Sequence, residues 1–304
     1  MSIQNPHDTF FREVFTDTEK ARELISLALP PQVTSLFDWK KFVHESGTFI
    51  DEAMREYHSD ILFSTGLTKG SRIKIYILFE HKSYHDAHLF AQLLRYLTQL
   101  YANMKELTPV IPLVFYHGTG KWKVPETFLD DFRLPRELKP VLRRYIPDFR
   151  YELINLQSRN IDDMIISLTM KVLLYTFKHI RNFQDDCILE KFIVLARDLF
   201  FEDSGLKIIE KMLLYLFAVN DIQPEKVRDS IDRLISADKG DIAMTTAERL
   251  IQQGIEKGIE KGLEKGILNG KKETALNMLR RGYSREDIAD ITGLSMEEID
   301  KLRQ

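Results

Sequence analysis

At 304 residues, 44% hydrophobic and 29% charged, the chain has ordinary globular composition and is long enough for one large domain or two modest ones. A formal net charge of −3 argues against a generally basic nucleic-acid coat and still allows a locally basic cleft. A single cysteine, Cys187, excludes an internal disulfide and a thiolate zinc cluster. No run approaches the roughly 20 apolar residues of a membrane span, and charged residues break any signal-peptide pattern, so a cytoplasmic protein with no membrane partner is expected.

The first elements are two amphipathic helices. Phe10, Phe11 and Phe15 mark the first, with Asp8 as its cap or as a functional acid; Ala21 to Leu29 form the second, ended by Pro30 and Pro31. Phe42 to Ile50 alternates weakly and reads as an opening strand. A β-hairpin follows, Ser59 to Phe63 and Ile73 to Lys82. In its second strand Ile73, Ile75, Ile77 and Phe79 share one parity, which leaves Glu80 and Lys82 on the same face. A reversal centred near Gly70 sets position 60 opposite position 80. One centred at Thr68 sets it opposite position 76.

Leu89 to Met104 has helical spacing, Val110 to Tyr116 reads as a buried strand, and Phe149 to Leu156 reads as another. Strand, helix, strand in that order predicts a parallel crossover. The fold class expected is therefore α/β: a mixed β-sheet core with flanking helices, then an all-α subdomain and a helical C-terminal tail. The boundaries are 1–160 for the core, 161–245 for the helical subdomain, 246–272 for a glycine repeat and 273–304 for a small helix-turn-helix-like tail.

In the repeat, Gly254, Gly258, Gly262, Gly266 and Gly270 recur every four residues, each followed by an apolar residue as far as Ile267. Each glycine weakens a lone helix by about 1 kcal/mol relative to alanine, yet the stripe lets a second helix approach closely. An oligomerisation helix giving a homo-oligomer is the preferred reading, with a flexible linker as the alternative. The tail beyond it has three basic residues (Arg285, Lys301, Arg303) against six acids (Glu286, Asp287, Asp290, Glu297, Glu298, Asp300) between Ser284 and Gln304. That balance favours protein contact over reading DNA.

Asp60, Glu80 and Lys82 are the residues with catalytic chemistry. Two carboxylates suit a hard cation such as Mg²⁺, with the backbone carbonyl of His81 as a further oxygen ligand. Such a site hydrolyses a phosphodiester by activating water, while Lys82 stabilises charge on the phosphorus. Glu56 is an additional acid upstream. The competing reading makes Glu80 and Lys82 an exposed ion pair of little energetic weight. A zinc site from His81, His85 and His88 is a further alternative. The basic residues Arg133, Arg136, Lys139, Arg143 and Arg144 are either phosphate contacts or a solvated face.

His7-Asp8 with Phe11, Tyr57 to Phe63, Ile77 to Ser83, Leu93 to Tyr96 and Val114 to Gly118 together resemble the recombination-promoting nuclease / putative transposase family of the PD-(D/E)XK nuclease superfamily. The resemblance is strong over residues 1–160 and looser beyond. It implies a restriction-endonuclease-like core and a metal-dependent DNA endonuclease serving recombination, mobile elements or defence against foreign DNA. Asp60, Glu80 and Lys82 match the acid and acid-x-lysine positions, while Ser59 stands where the superfamily has proline. Gln92, Arg95 and Tyr96 lie on the helix that often faces the active site in such proteins. A non-catalytic DNA-binding or assembly protein on a degenerate nuclease fold is the alternative.

Overall fold

The computed structural model describes residues 5–45, 61–68 and 74–302, and Glu56, Ser59 and Asp60 lie outside them. Two compact units emerge, residues 2–247 and 248–304. The first is built on a mixed five-stranded sheet: β1 (Phe37–His44), β2 (Ile61–Leu67), β3 (Lys74–Lys82), β4 (Val110–Tyr116) and β5 (Glu152–Asn155), in spatial order β1-β2-β3-β4-β5. β1, β2 and β3 pair antiparallel; β3, β4 and β5 pair parallel. The expected hairpin and crossover are both present.

The β2–β3 register pairs Ile61 with Phe79, Leu62 with Leu78 and Phe63 with Ile77. This is the register centred on position 70 rather than the one centred on 68. β1 differs from expectation, starting at Phe37 instead of Phe42. Its pairing with β2 shifts between Asp38 and Val43, and an irregularity of that kind breaks the two-residue alternation by which strands are recognised.

Each sheet face has its own core. Ile61, Phe63, Ile77, Phe79, Leu113, Phe115 and Ile154 pack against the helices that flank one side. These are α1 (Pro6–Phe15) and α2 (Thr18–Ala28), with α4 (Leu168–His179), α5 (Asp186–Leu195), α6 (Asp203–Val219) and α7 (Pro224–Leu234) contributing to the same apolar cluster. Leu62, Leu78 and Val114 turn to the other side, where α3 (Leu89–Ala102) covers them with Leu89, Phe90, Leu93, Tyr96 and Leu100. The apolar positions of α3 recur at three- and four-residue steps, so one stripe faces the sheet. α3 joins β3 to β4, placing its first turns beside the C-terminal end of β3.

Asp8 does not cap α1. The cap position is Asn5, without a side-chain cap bond, and Pro6 occupies the first turn. Asp8 instead lies inside the helix and is turned toward the sheet.

α8 (Asp241–Arg280) is one continuous helix that includes the glycine repeat. In the second unit Ala275, Ile288, Leu294 and Ile299 form a small core joining the end of α8 to α9 (Arg285–Thr292) and α10 (Met296–Lys301). Ser284 caps α9, Ser295 and Glu298 make a reciprocal capping box at α10, and Gly293 ends α9 with φ of 65°. That left-handed conformation favours glycine. Among the described residues no helix is long and apolar enough to cross a membrane.

Candidate active site

Glu80 and Lys82 sit at the C-terminal end of β3 and face α3, as their shared parity requires. Glu80 is 0% exposed and Lys82 is 5% exposed, which excludes a solvated surface ion pair. The Lys82 ammonium has three N–H donors, and three side chains accept from it. They are Glu80 Oε1 at 3.0 Å, Asp86 Oδ2 at 2.8 Å and Gln92 Oε1 at 2.6 Å. Gln92, in the first turns of α3, also donates from Nε2 to Glu80 Oε1 at 3.0 Å and to the Tyr96 hydroxyl at 2.6 Å. One amide therefore joins both strand residues to α3.

Burial opposes charge on Lys82, but Glu80 and Asp86 outweigh it and push its pKa above the ordinary lysine value. The ammonium is charged at neutral pH, so Lys82 is a source of positive potential and hydrogen bonds rather than a base. Burial likewise raises the Asp86 carboxyl, yet hydrogen bonds from Lys82 and the His88 backbone N–H bring it below its usual range. Among the described residues Glu80 Oε2 is buried with no hydrogen-bond partner. A desolvated carboxylate oxygen left unpaired costs about 1–3 kcal/mol or more, and a hard divalent cation is the kind of ligand that satisfies it.

The opposite face of β3 is polar at one point. His81, 3% exposed, donates from Nδ1 to Asp8 Oδ1 at 2.6 Å; the carboxylate can only accept, which fixes the roles. The His81 ring stacks on Phe11 at 4.7 Å and on His117 at 5.0 Å. His117 bonds through Nδ1 to the Phe177 carbonyl at 3.1 Å, and His7 Nδ1 meets the Tyr215 hydroxyl at 2.6 Å. Burial first, then Arg181 and His81, lower the His7 pKa to about 4. Burial also drives His117 well below its ordinary value. Both imidazoles are therefore neutral. Arg181 donates to the His117 carbonyl at 3.2 Å and the Ser83 carbonyl at 3.0 Å, tying together the loops after β4 and β3.

The sequence-predicted residues thus separate into groups. Glu80, Lys82, Gln92 and Tyr96 converge; Arg95 lies on the exposed side of α3. Asp8 reaches the back of the strand through His81, whose own backbone lies in the ladder opposite Phe115. The zinc alternative fails. His81 points to the α1 side, His85 packs edge-on to Trp122 at 5.8 Å, and His88 precedes α3. Among the described residues no three His, Cys, Asp or Glu side chains form a metal-holding group. Asp86 was not anticipated; its only signal is an acid four residues after Lys82, outside any strand or helix period. Tyr84, exposed beside the site with Lys82 Nζ 5.9 Å from its ring centre, was also missed.

The family model described as "Putative transposase, YhgA-like" matches residues 5–206, and "Rpn/YhgA-like nuclease family, C-terminal HTH domain" matches residues 269–304. The second agrees with the helix-turn-helix layout of the tail. The chain is 30% identical over 306 residues to the recombination-promoting nuclease RpnA of Escherichia coli (strain K12), covering 97% of this chain and 96% of that protein. It is 28% identical over 260 residues to the recombination-promoting nuclease RpnD of Escherichia coli O157:H7, covering 82% and 95%. A third relative, 26% identical over 306 residues, is the inactive recombination-promoting nuclease-like protein RpnE of Escherichia coli (strain K12), covering 98% and 97%. No solved structure matches the chain.

Proposed function

The chain belongs to the YhgA-like transposase family, whose relatives here include recombination-promoting nucleases, and we propose that it is itself a Mg²⁺-dependent DNA endonuclease with its site on β3. The observation that carries this reading is the buried Glu80 carboxylate, tethered through one oxygen to Lys82 and Gln92 while Oε2 has no partner among the described residues. Asp60 precedes Ile61, which pairs with Phe79. The same register continued by one residue would set Asp60 opposite Glu80.

In this proposal Asp60, Glu80 and the His81 carbonyl hold the cation, with Glu56 as an accessory acid. The cation would supply an activated water and polarise the phosphodiester. Lys82, kept charged by Glu80 and Asp86, offsets negative charge that develops on the phosphoryl oxygens. Gln92 fixes the separation of Glu80 and Lys82, and Tyr96 fixes Gln92.

α8 supports a homo-oligomer as the working assembly. Ile255, Ile259, Leu263 and Ile267 are each half exposed or more, and nothing lies within 4 Å of a Cβ built on Gly254, Gly262, Gly266 or Gly270. A second copy of the helix would cover both stripes. The helix-turn-helix unit would add DNA contact, against the acid excess of its two helices.

Incubating supercoiled plasmid with purified protein, with Mg²⁺ or with EDTA, tests the catalytic reading. Metal-dependent nicking by the wild type is expected, falling at least about 100-fold in Asp60→Asn, Glu80→Gln and Lys82→Met, as for loss of a major charge-stabilising group. Equal cleavage by all four proteins sinks it. Absence of cleavage by any of them, with DNA binding retained, supports the second reading: a non-catalytic DNA-binding or assembly protein on a degenerate nuclease fold. The relative named as inactive keeps that reading open.

A further inference from the structure

The connection from β4 to β5 carries a stretch that the catalytic site does not use. From residue 132 to residue 146 five basic residues (Arg133, Arg136, Lys139, Arg143, Arg144) stand against one acid, Glu137, in a chain of net charge −3. Lys139 is engaged by Asp130 at 3.0 Å, and Arg143 lies 3.7 Å from Asp148. Arg133, Arg136 and Arg144 are exposed, and among the described residues none has an acidic partner. Two aromatics adjoin them in the chain: Phe132, 38% exposed, precedes Arg133, and Tyr145, 74% exposed, follows Arg144.

The stretch is attached to the site's framework. β4 ends at Tyr116, whose register partner is Lys82. The Phe132 ring packs on Phe128 at 5.1 Å, and Phe128 packs at 5.5 Å on Phe90, two residues before Gln92 on α3.

We propose that residues 132–145 form a binding surface for single-stranded DNA, with Arg133, Arg136 and Arg144 on phosphates and Phe132 and Tyr145 against the faces of unpaired bases. The nucleic-acid identity of this polyanion rests on the nuclease reading above; the preference for an unpaired strand comes from the surface. A duplex offers phosphates but keeps its base faces stacked inside, so solvent-exposed rings gain nothing from it. An unpaired strand offers both, and its bases stack on aromatic side chains with little regard to sequence. Exposed Leu138 and Val141 raise an anionic bilayer as a competitor. The helical turns here, Lys139–Leu142 and Arg143–Tyr145, are too short to present the continuous apolar face that such binding uses.

The test is fluorescence anisotropy of the full chain with one labelled oligonucleotide, alone or annealed to its complement, across a salt series in EDTA. Arg133→Gln/Arg136→Gln/Arg144→Gln should lower the salt slope of single-strand binding by about 2, at roughly 0.7 per phosphate contact. Tyr145→Ala should weaken single-strand binding about tenfold and leave duplex binding unchanged. An unchanged slope, or equal effects of Tyr145→Ala on both substrates, overturns the proposal. So does loss of binding to phosphatidylserine vesicles in the variants while DNA binding is intact. EDTA separates this from catalysis. A wild type that binds in this manner but never cuts with Mg²⁺ refutes the nuclease reading alone; a metal-dependent nuclease indifferent to these substitutions refutes the surface alone.

Discussion

Replacing Lys82 by methionine preserves the stem volume and removes the charge, so its main cost is the carboxylate left behind. Glu80 has 0% exposure and Lys82 5%. After the substitution Glu80 retains one described donor, Gln92 Nε2 at 3.0 Å. Removing one partner of a buried ion pair costs about 3–5 kcal/mol, or a fall in Tm of about 6–20 °C in a domain of this size. Asp86 contributes less, because its side chain is 15% exposed and can hydrate. In the wild type the raised Lys82 pKa means that the pair's contribution is complete below the unfolded lysine value of about 10.4 and is lost only as pH rises through the folded value. Glu80→Gln/Lys82→Met, which removes both charges, should recover at least half of the Lys82→Met cost. Urea unfolding of the four members of the cycle at neutral pH measures this. A Lys82→Met cost below about 1 kcal/mol, or no recovery in the double variant, refutes the buried-pair argument.

Asp8→Ala should destabilise by about 1.5–3 kcal/mol, the range for a charged hydrogen bond, and the loss should vanish in a His81→Phe background. Undiminished loss there would return Asp8 to a purely helical role. Because the folded pKa of His7 is lowered to about 4, its contribution is intact above the unfolded value of about 6.5 and is lost as pH falls toward 4. The urea midpoint of His7→Gln should accordingly vary less than wild type between pH 7 and pH 5, and parallel curves would contradict it. Gly262→Ala and Gly266→Ala meet no atom within 4 Å in the single chain, so each should raise α8 helicity by circular dichroism, worth about 1 kcal/mol in a helix interior. If a second copy packs there, sedimentation should show weaker self-association; stronger or unchanged association argues against a glycine-lined contact.

Local patterns carried much of this architecture. The parity of β3 put Glu80 and Lys82 on one face, and the apolar spacing of α3 identified the helix that covers them. Neither depends on distant residues. β1 starts at Phe37, ahead of the expected Phe42: its irregular pairing destroys alternation. The sequence leaves Asp8 between a cap and a functional acid because its partner, His81, is 73 positions away, and no periodicity spans such a distance. Asp86 escaped for a related reason: its reach to Lys82 is created by the turn into α3. Arg181 gave no sequence signal at all, since its acceptors are backbone carbonyls supplied by Ser83 and His117.

The pairing of His7 with Tyr215 joins residues 208 positions apart. During synthesis α1 leaves the ribosome early, but Phe177 and Tyr215, against which its aromatic face packs, arrive much later. Contacts of such separation are slow to form because loop closure precedes their reward. The support behind His81 is therefore completed only when most of the first unit has been made. A nascent chain halted before α6 possesses Glu80, Lys82 and Gln92, and the Phe79, Phe115 and Phe177 contacts of α1, yet lacks the Tyr215 contacts with His7 and Phe10. Synthesis of α6 and completion of the seat of α1 are coupled by topology.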